Sequence, residues 1–461
     1  MEVNHIKNQS GYLKFIPLGG MGEVTKNMSV YETENDLVVV DCGIGFPEEA
    51  ATAAAEKAEN EILIPDFSYV LARQKKLRAL IVTHGHEDHI GAIPYFLKKV
   101  RVPVYTARLT AGLIRSKLKE KGPKKAEIKE LNEDQRINLG RDFSFELIRL
   151  THSIPDTMAV ALTTPFGVVI HTGDFKLDPT PLDRRLSELG KIDEYGRRGV
   201  LLLASDSLRS EREGSSPSER IVGETFFREI QKTRGRVFIT MFSSDISRIQ
   251  QAIDVAAALG REVTLAGLSL ERNFEVARDL GYLAVPKKQV TTNEKLKKLP
   301  VSKQLILASG AQGQTNSAMA KMARGEHRAF KLGQGDLVLF SSDLIPGNEE
   351  PVQRLQEQIR KVGAKVLHLE EVPEIHVSGH GYAEDLKRVM QAAHAAYLAP
   401  IGGTPESMAE YAKLARGYNY RDDQIFLLEN GQTLEFYFHQ GRTEAKLGEK
   451  IELKEFSIIQ K

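Results

Sequence analysis

Short apolar runs broken by Gly, Pro and Asp dominate the first third of the chain, at residues 12–18, 37–40, 79–82, 143–150 and 167–170. Runs of this length closed by turn formers predict buried strands, several of which end in a polar residue able to line a site. Two segments break the rhythm. The Ala-rich stretch 50–58 predicts a helix, and residues 109–129 predict an amphipathic and very basic one. From Arg236 the pattern becomes strand then helix: 237–242 before a helix near Ile246, 263–266 before one near Glu271, and 305–308 before one near Ser317. With the run 337–340 and the helical stretch 351–361, this alternation predicts a parallel sheet covered by helices, a separate α/β domain. After His380 come a helix over 382–394, a short strand over 397–399, another helix, and a strand pair predicted around the Asn430-Gly431 turn. That last portion fits as the completion of the first domain.

The 461 residues leave room for about three domains. With 41% hydrophobic and 27% charged residues, the composition excludes disordered and fibrous classes. Lys plus Arg number 63 against 62 Asp plus Glu, so a net charge of +1 gives no global field for a polyanion and any nucleic-acid contact must be local. The lysines at 117, 119, 121, 124 and 125 and at 295, 297, 298 and 303 are read chiefly as solvated faces. A single cysteine, Cys42, rules out an internal disulfide and is read as packing. The polar start 1–10 lacks a signal-peptide layout, and no apolar stretch approaches the roughly 18 residues of a membrane span. The expected compartment is the cytoplasm, with no membrane partner.

The chemistry concentrates in Thr83-His84-Gly85-His86-Glu87-Asp88-His89, directly after a predicted strand. Three imidazoles and a carboxylate within six residues suit a borderline cation such as zinc. His152 and Asp174 stand at comparable strand ends, and Asp41 fits as a carboxylate that orients a ligating imidazole. Gly19-Gly20-Met21-Gly22-Glu23 matches neither G-x-G-x-x-G nor the Walker pattern and is read as a tight turn beside the metal site.

The HGHEDH run with the later His and Asp resembles the metallo-β-lactamase superfamily. The segments LGGMGEVTKN (18–27), IPDFSYV (64–70), THGHEDHIGAIPY (83–95), SDS (205–207), IPGNE (345–349), HVSGHG (376–381) and LENGQTLEF (428–436) further resemble the bacterial and archaeal ribonuclease J family. The resemblance implies an α/β fold, a metallo-β-lactamase αββα sandwich with an inserted parallel-sheet β-CASP domain. Its expected limits are 1–207 for the first part of the sandwich, 208–373 for the insertion and 374–461 for the completing part. It also implies metal ligands His84, His86 and His152 for one zinc, Asp88 and His89 for another, and Asp174 bridging them, with Mn²⁺ or Mg²⁺ as alternatives. Asp88, His380 and Asp206 would then be catalytic, His380 as general acid oriented by Asp206, while His376, Val377, Ser378, Gly379 and His380 would contact the scissile phosphate. The implied activity is metal-dependent hydrolysis of single-stranded RNA, as 5′-to-3′ exonuclease, endonuclease or both. The alternative is a weakly active or inactive RNA-binding paralogue. Partners would be single-stranded RNA and either a second copy or a related ribonuclease.

Four departures from the family pattern stand out. Gly402, in Pro400-Ile401-Gly402-Gly403-Thr404, occupies the place of a ligating His, so occupancy of the second metal site is expected to fall. Neither His394 nor His171 has the register to replace it. Ser309-Gly310-Ala311-Gln312-Gly313-Gln314 and Ser247 differ from the residues typical of the family. The chain also stops about 25 residues after LENGQTLEF, where many relatives carry a further domain.

Overall fold

The computed structural model describes residues 11–47, 61–345 and 347–459. The helix expected at 50–58 and the polar start at 1–10 lie outside the described residues. Two sheets face one another. The larger runs, edge to edge, Arg442–Lys450, Gln432–His439, Tyr12–Gly19, Met28–Glu32, Leu37–Val40, Leu77–Ile81, Val104–Thr106 and Ile128–Glu130. The other runs Tyr397–Ile401, Val200–Asp206, Gly167–His171, Met158–Thr164, Phe143–Arg149 and Ile137–Leu139. Alternate residues of each strand enter the space between the sheets, where Phe15, Tyr31, Val40 and Ile81 meet Phe145, Leu147, Val160 and Leu202. The opposite residues bury under helices: Val39 and Leu80 pack with Leu109 and Leu113, while Ile170 and Leu203 pack with Val389 and Tyr411. The result is an αββα sandwich.

A third sheet is wholly parallel, in the order Glu262–Ala266, Gln304–Ala308, Val237–Thr240, Leu337–Phe340, Lys365–Leu367. Helices Ile246–Ala258 and Leu268–Asp279 cover one face, and Ala318–Arg324 and Glu349–Lys361 the other. It meets the sandwich where Gly112 passes so close to Val276 and Leu280 that an added Cβ would lie 2.6 Å from the Leu280 side chain.

Two predicted elements are corrected. The basic helix expected over 109–129 spans only Arg108–Lys121. It stops at Gly122-Pro123, and the chain then forms the strand Ile128–Glu130 beside Val104–Thr106. The breaking residues outweigh the run of charge that suggested continuation. The hairpin expected at Asn430-Gly431 turns instead at Gln440-Gly441, between Gln432–His439 and Arg442–Lys450. Asn430 is occupied elsewhere, its side chain accepting from Met21 N at 3.0 Å and donating to Glu23 at 2.8 Å.

Candidate metal centre

Parallel pairing of Leu37–Val40 with Leu77–Ile81, of Gly167–His171 with Val200–Asp206, and of the latter with Tyr397–Ile401 brings Asp41, His84, Asp174, Asp206 and Gly402 to one end of the sandwich. His152 arrives just beyond Phe143–Arg149 in the same sheet. Asp41 takes a left-handed backbone, φ +61°, rare for a residue with a side chain. This aims its carboxylate across the strand ends. It accepts from Thr83 N and Thr83 Oγ1, both at 2.8 Å, and from His89 Nδ1 at 2.8 Å.

Each clustered imidazole has its outward nitrogen engaged. His84 Nδ1 donates to Thr83 Oγ1 at 3.0 Å, His89 Nδ1 to Asp41, His152 Nδ1 to the Gly379 carbonyl at 2.6 Å, and His86 Nε2 lies 3.3 Å from Ser153 Oγ. The remaining nitrogens of His84, His86 and His152 therefore present lone pairs to a common centre, and His89 directs Nε2 to the same region. His86 Nδ1 lies 3.2 Å from both His84 Nε2 and His152 Nε2. Donors sharing one tetrahedral cation, at bond lengths of about 2.0–2.2 Å, stand roughly 3.3–3.6 Å apart. His84, His86 and His152 thus fit a first cation. A second set gathers around His89 Nε2, 3.2 Å from Asp174 Oδ2 and 3.4 Å from Asp88 Oδ2. Asp174 Oδ2 is also 3.8 Å from His84 Nε2 and 3.9 Å from His380 Nε2, so its carboxylate lies between the sets and toward the open side. Asp88 is the loosest member: the compact triads are His84/His86/His152, His84/His89/Asp174 and His152/Asp174/His380.

The electrostatics agree with a cation site. Burial, reinforced by neighbouring imidazoles, holds His84 and His152 well below the usual histidine range, and burial brings His86 down to about 4. These are neutral, ligand-ready rings. For His89 burial also works downward, but Asp174, Asp88 and Asp41 outweigh it and hold the ring charged. That proton is what a metal ion would displace.

Outside the donor sets, His380 Nδ1 pairs with the fully buried Asp206 Oδ2 at 2.7 Å. Burial opposes the charged imidazole, yet Asp206 and Asp174 raise it to about 9. Gly379 can only be glycine, because a Cβ would stand 2.6 Å from the His152 ring. His376 is fixed differently from its neighbours. Its Nε2 donates to Asp343 at 3.3 Å, and its Nδ1 accepts from Arg248, a fully buried guanidinium clamped by Glu219 at 2.8 Å. Val377 and Ser378 supply carbonyls to Arg248 and to the buried Lys176. Beyond them opens a cleft of about 770 Å³ between the sandwich and the parallel-sheet region. His86, Asp174, Ser378 and His380 face it from one side, and Ser243, Arg272, Gln312 and Asp343 from the other.

The Gly20–Asn27 loop is a tight turn packed on this end, with Gly20 O accepting from Gly402 N at 2.8 Å. Neither His171 nor His394 reaches the second set: His171 Nδ1 bonds Tyr31 Oη at 3.0 Å, and His394 is an exposed helix cap. Cys42 is buried, and burial pushes its thiol up, consistent with packing. Asn27, Arg248 and Asp343 are the residues the sequence reading missed. Asn27 lies in the quoted LGGMGEVTKN segment, but an amide carries none of the charge or ring chemistry by which ligands were sought.

A sandwich with histidines and aspartates gathered on its strand ends defines the metallo-β-lactamase class, and the family model "Metallo-beta-lactamase superfamily" matches residues 21–267. The model "Ribonuclease J, beta-CASP domain" matches residues 234–359. Ribonuclease J of Thermus thermophilus is 40% identical over 427 residues, covering 91% of this chain and 73% of the relative. Ribonuclease J of Helicobacter pylori strain J99 is 38% identical over 430 residues, 93% of this chain and 61% of the relative, and ribonuclease J2 of Bacillus subtilis 35% over 446 residues, 96% and 78%. The chain belongs to the ribonuclease J family. In fold it is similar to a protein of unknown function from Enterococcus faecalis V583, with a TM-score of 0.61 at 14% identity, covering 92% of this chain and 99% of that one.

Proposed function

We propose that this chain is a metal-dependent ribonuclease that hydrolyses phosphodiester bonds of single-stranded RNA, from a 5′ end, internally or both. Residues 208–373 form the inserted domain, and the polymer runs in the cleft between it and the sandwich. His84, His86 and His152 would hold one cation and Asp88 and His89 the other, with Asp174 between them. Zn²⁺, Mn²⁺ or Mg²⁺ bound there would acidify a water and neutralise charge gathering on the phosphate. The protein's own share is proton management and alignment. His380, steered by Asp206, donates a proton to the leaving oxygen, and Asp41 accepts from His89 Nδ1, so that Nε2 is the nitrogen a cation would take on displacing its proton. The segment His376-Val377-Ser378-Gly379-His380 presents donors along the cleft wall to the scissile phosphate.

The observation that carries this reading is the position of Asp174, within 4 Å of donor atoms of His84, His89 and His380 at once. The test is cleavage of a 5′-monophosphorylated single strand by the metal-loaded chain and by His86→Ala. Turnover abolished in the variant with RNA binding retained supports the enzyme. Gly402 favours a second reading, an RNA-binding paralogue of feeble activity. Tight binding with turnover unchanged by His86→Ala would select it.

A further inference from the structure

Gly402 lies beside Asp174 and brings no side chain to the set formed by Asp88, His89 and Asp174. A Cβ there would lie 3.6 Å from Asp174 Oδ1, 3.9 Å from Asp206 Oδ1 and 4.0 Å from Asn27 Oδ1, so the Asn27 carboxamide borders the space in front of the glycine. Asn27 is buried, with 9% of its surface exposed. Its Nδ2 lies 3.1 Å from His89 Nε2 and 3.4 Å from Asp88 Oδ2, nearly the separations that His89 keeps from Asp174 and Asp88. The amide end thus stands at donor spacing around the same centre as the other three residues. Its delivery is backbone-controlled: Asn27 N donates to Asp88 O and Asn27 O accepts from Gly43 N, both at 3.0 Å.

A half-turn about the Cβ–Cγ bond exchanges the two ends of a carboxamide, and only the oxygen has lone pairs to give a cation. The turn gives up the Nδ2 contacts to Val24 O at 3.3 Å and Asp88 Oδ2 at 3.4 Å, both at the long end of hydrogen bonding, and sets Oδ1 in place of Nδ2 beside His89 Nε2, 3.1 Å away.

We propose, resting on the two-cation reading above, that Asn27 Oδ1 is the fourth protein donor to the second cation, in the space left by Gly402. With Asp174 shared, the second site then offers three oxygens and one imidazole, against three imidazoles and that one shared carboxylate at the first. Harder ions such as Mn²⁺ or Mg²⁺ are favoured there, while zinc is favoured at the first.

The test is Mn²⁺ titration of the full-length, chelator-stripped chain, read by the electron paramagnetic resonance of free Mn²⁺, for wild type, Asn27→Ala and Asn27→Asp. Wild type is expected to take two Mn²⁺ per chain. Asn27→Ala should keep the first and weaken the second at least tenfold, and Asn27→Asp should bind the second at least threefold more tightly than wild type. Second-site affinity in Asn27→Ala within twofold of wild type overturns the proposal and leaves the two-cation reading standing. A single Mn²⁺ in wild type overturns both. Should Asn27→Ala fail to fold, Asn27→Asp decides: affinity no tighter than wild type overturns the proposal.

Discussion

His380 shows how far one residue's surroundings set its chemistry. Its ordinary pKa near 6.5 would leave it mostly neutral at about pH 7.5, a unit higher. Asp206 and Asp174 outweigh burial and raise it to about 9, so the ring is charged and able to donate a proton. With His380 as the proposed proton donor, turnover should hold below that value and fall as pH rises through it. His380→Gln should lower kcat by roughly 10²–10⁴-fold and remove that alkaline limb. A pH–rate profile of both proteins reads this, and an unchanged limb in the variant would assign it to another group. Asp41 acts at one remove, through Thr83 and His89. Asp41→Asn should weaken metal affinity by about 10–100-fold, measured by competition with a chromophoric chelator. His84, His152 and Asp174 were legible in the sequence because each ends an apolar run. Asn27 was not, because its proximity arises from Gly20 bonding Gly402 across a separation no local pattern encodes.

Among elements, the strands were the most legible and their ends the most informative. Leu37–Val40 and Leu305–Leu307 are apolar throughout because both faces of their sheets are covered. Met28–Glu32 and Met158–Thr164 went unread, since Ser29, Glu32, Thr163 and Thr164 interrupt their apolar positions although all of these strands' residues but Thr163 are buried. The long basic helix failed at Gly122-Pro123, and Arg272 and Lys117 proved to be paired, with Glu120 at 2.5 Å and Glu87 at 2.6 Å. Those pairs reduce the charge this region can offer to a polyanion. The helix Ile246–Ala258 contributes Arg248, which ties Glu219 and Asp245 to the segment carrying His376. Arg248→Met would leave two buried carboxylates without their cation. It should cost about 3–5 kcal/mol of stability, read as a lower urea midpoint; a change below 1 kcal/mol would show that Lys176 alone suffices.

For the whole molecule, the decisive feature is that strand ends of one domain and loops of another close on a common cleft. No helix among the described residues is long and apolar enough to cross a membrane. The alternation of strand and helix after Arg236 made the parallel sheet readable, whereas the cleft depends on how Gly112 docks against Val276 and Leu280, a contact between distant segments. A channel bounded on both sides should accept an unpaired strand and reject a blunt duplex. Initial rates on matched single- and double-stranded RNA test this, and equal rates would contradict it. The proposed chemistry requires one cation on each side of Asp174. Anomalous diffraction at the manganese or zinc edge from metal-loaded crystals addresses it most directly. Two peaks are expected, one bounded by His84, His86 and His152 and the other by Asp88, His89 and Asp174; crystals with no peak among the three histidines would rule out that arrangement.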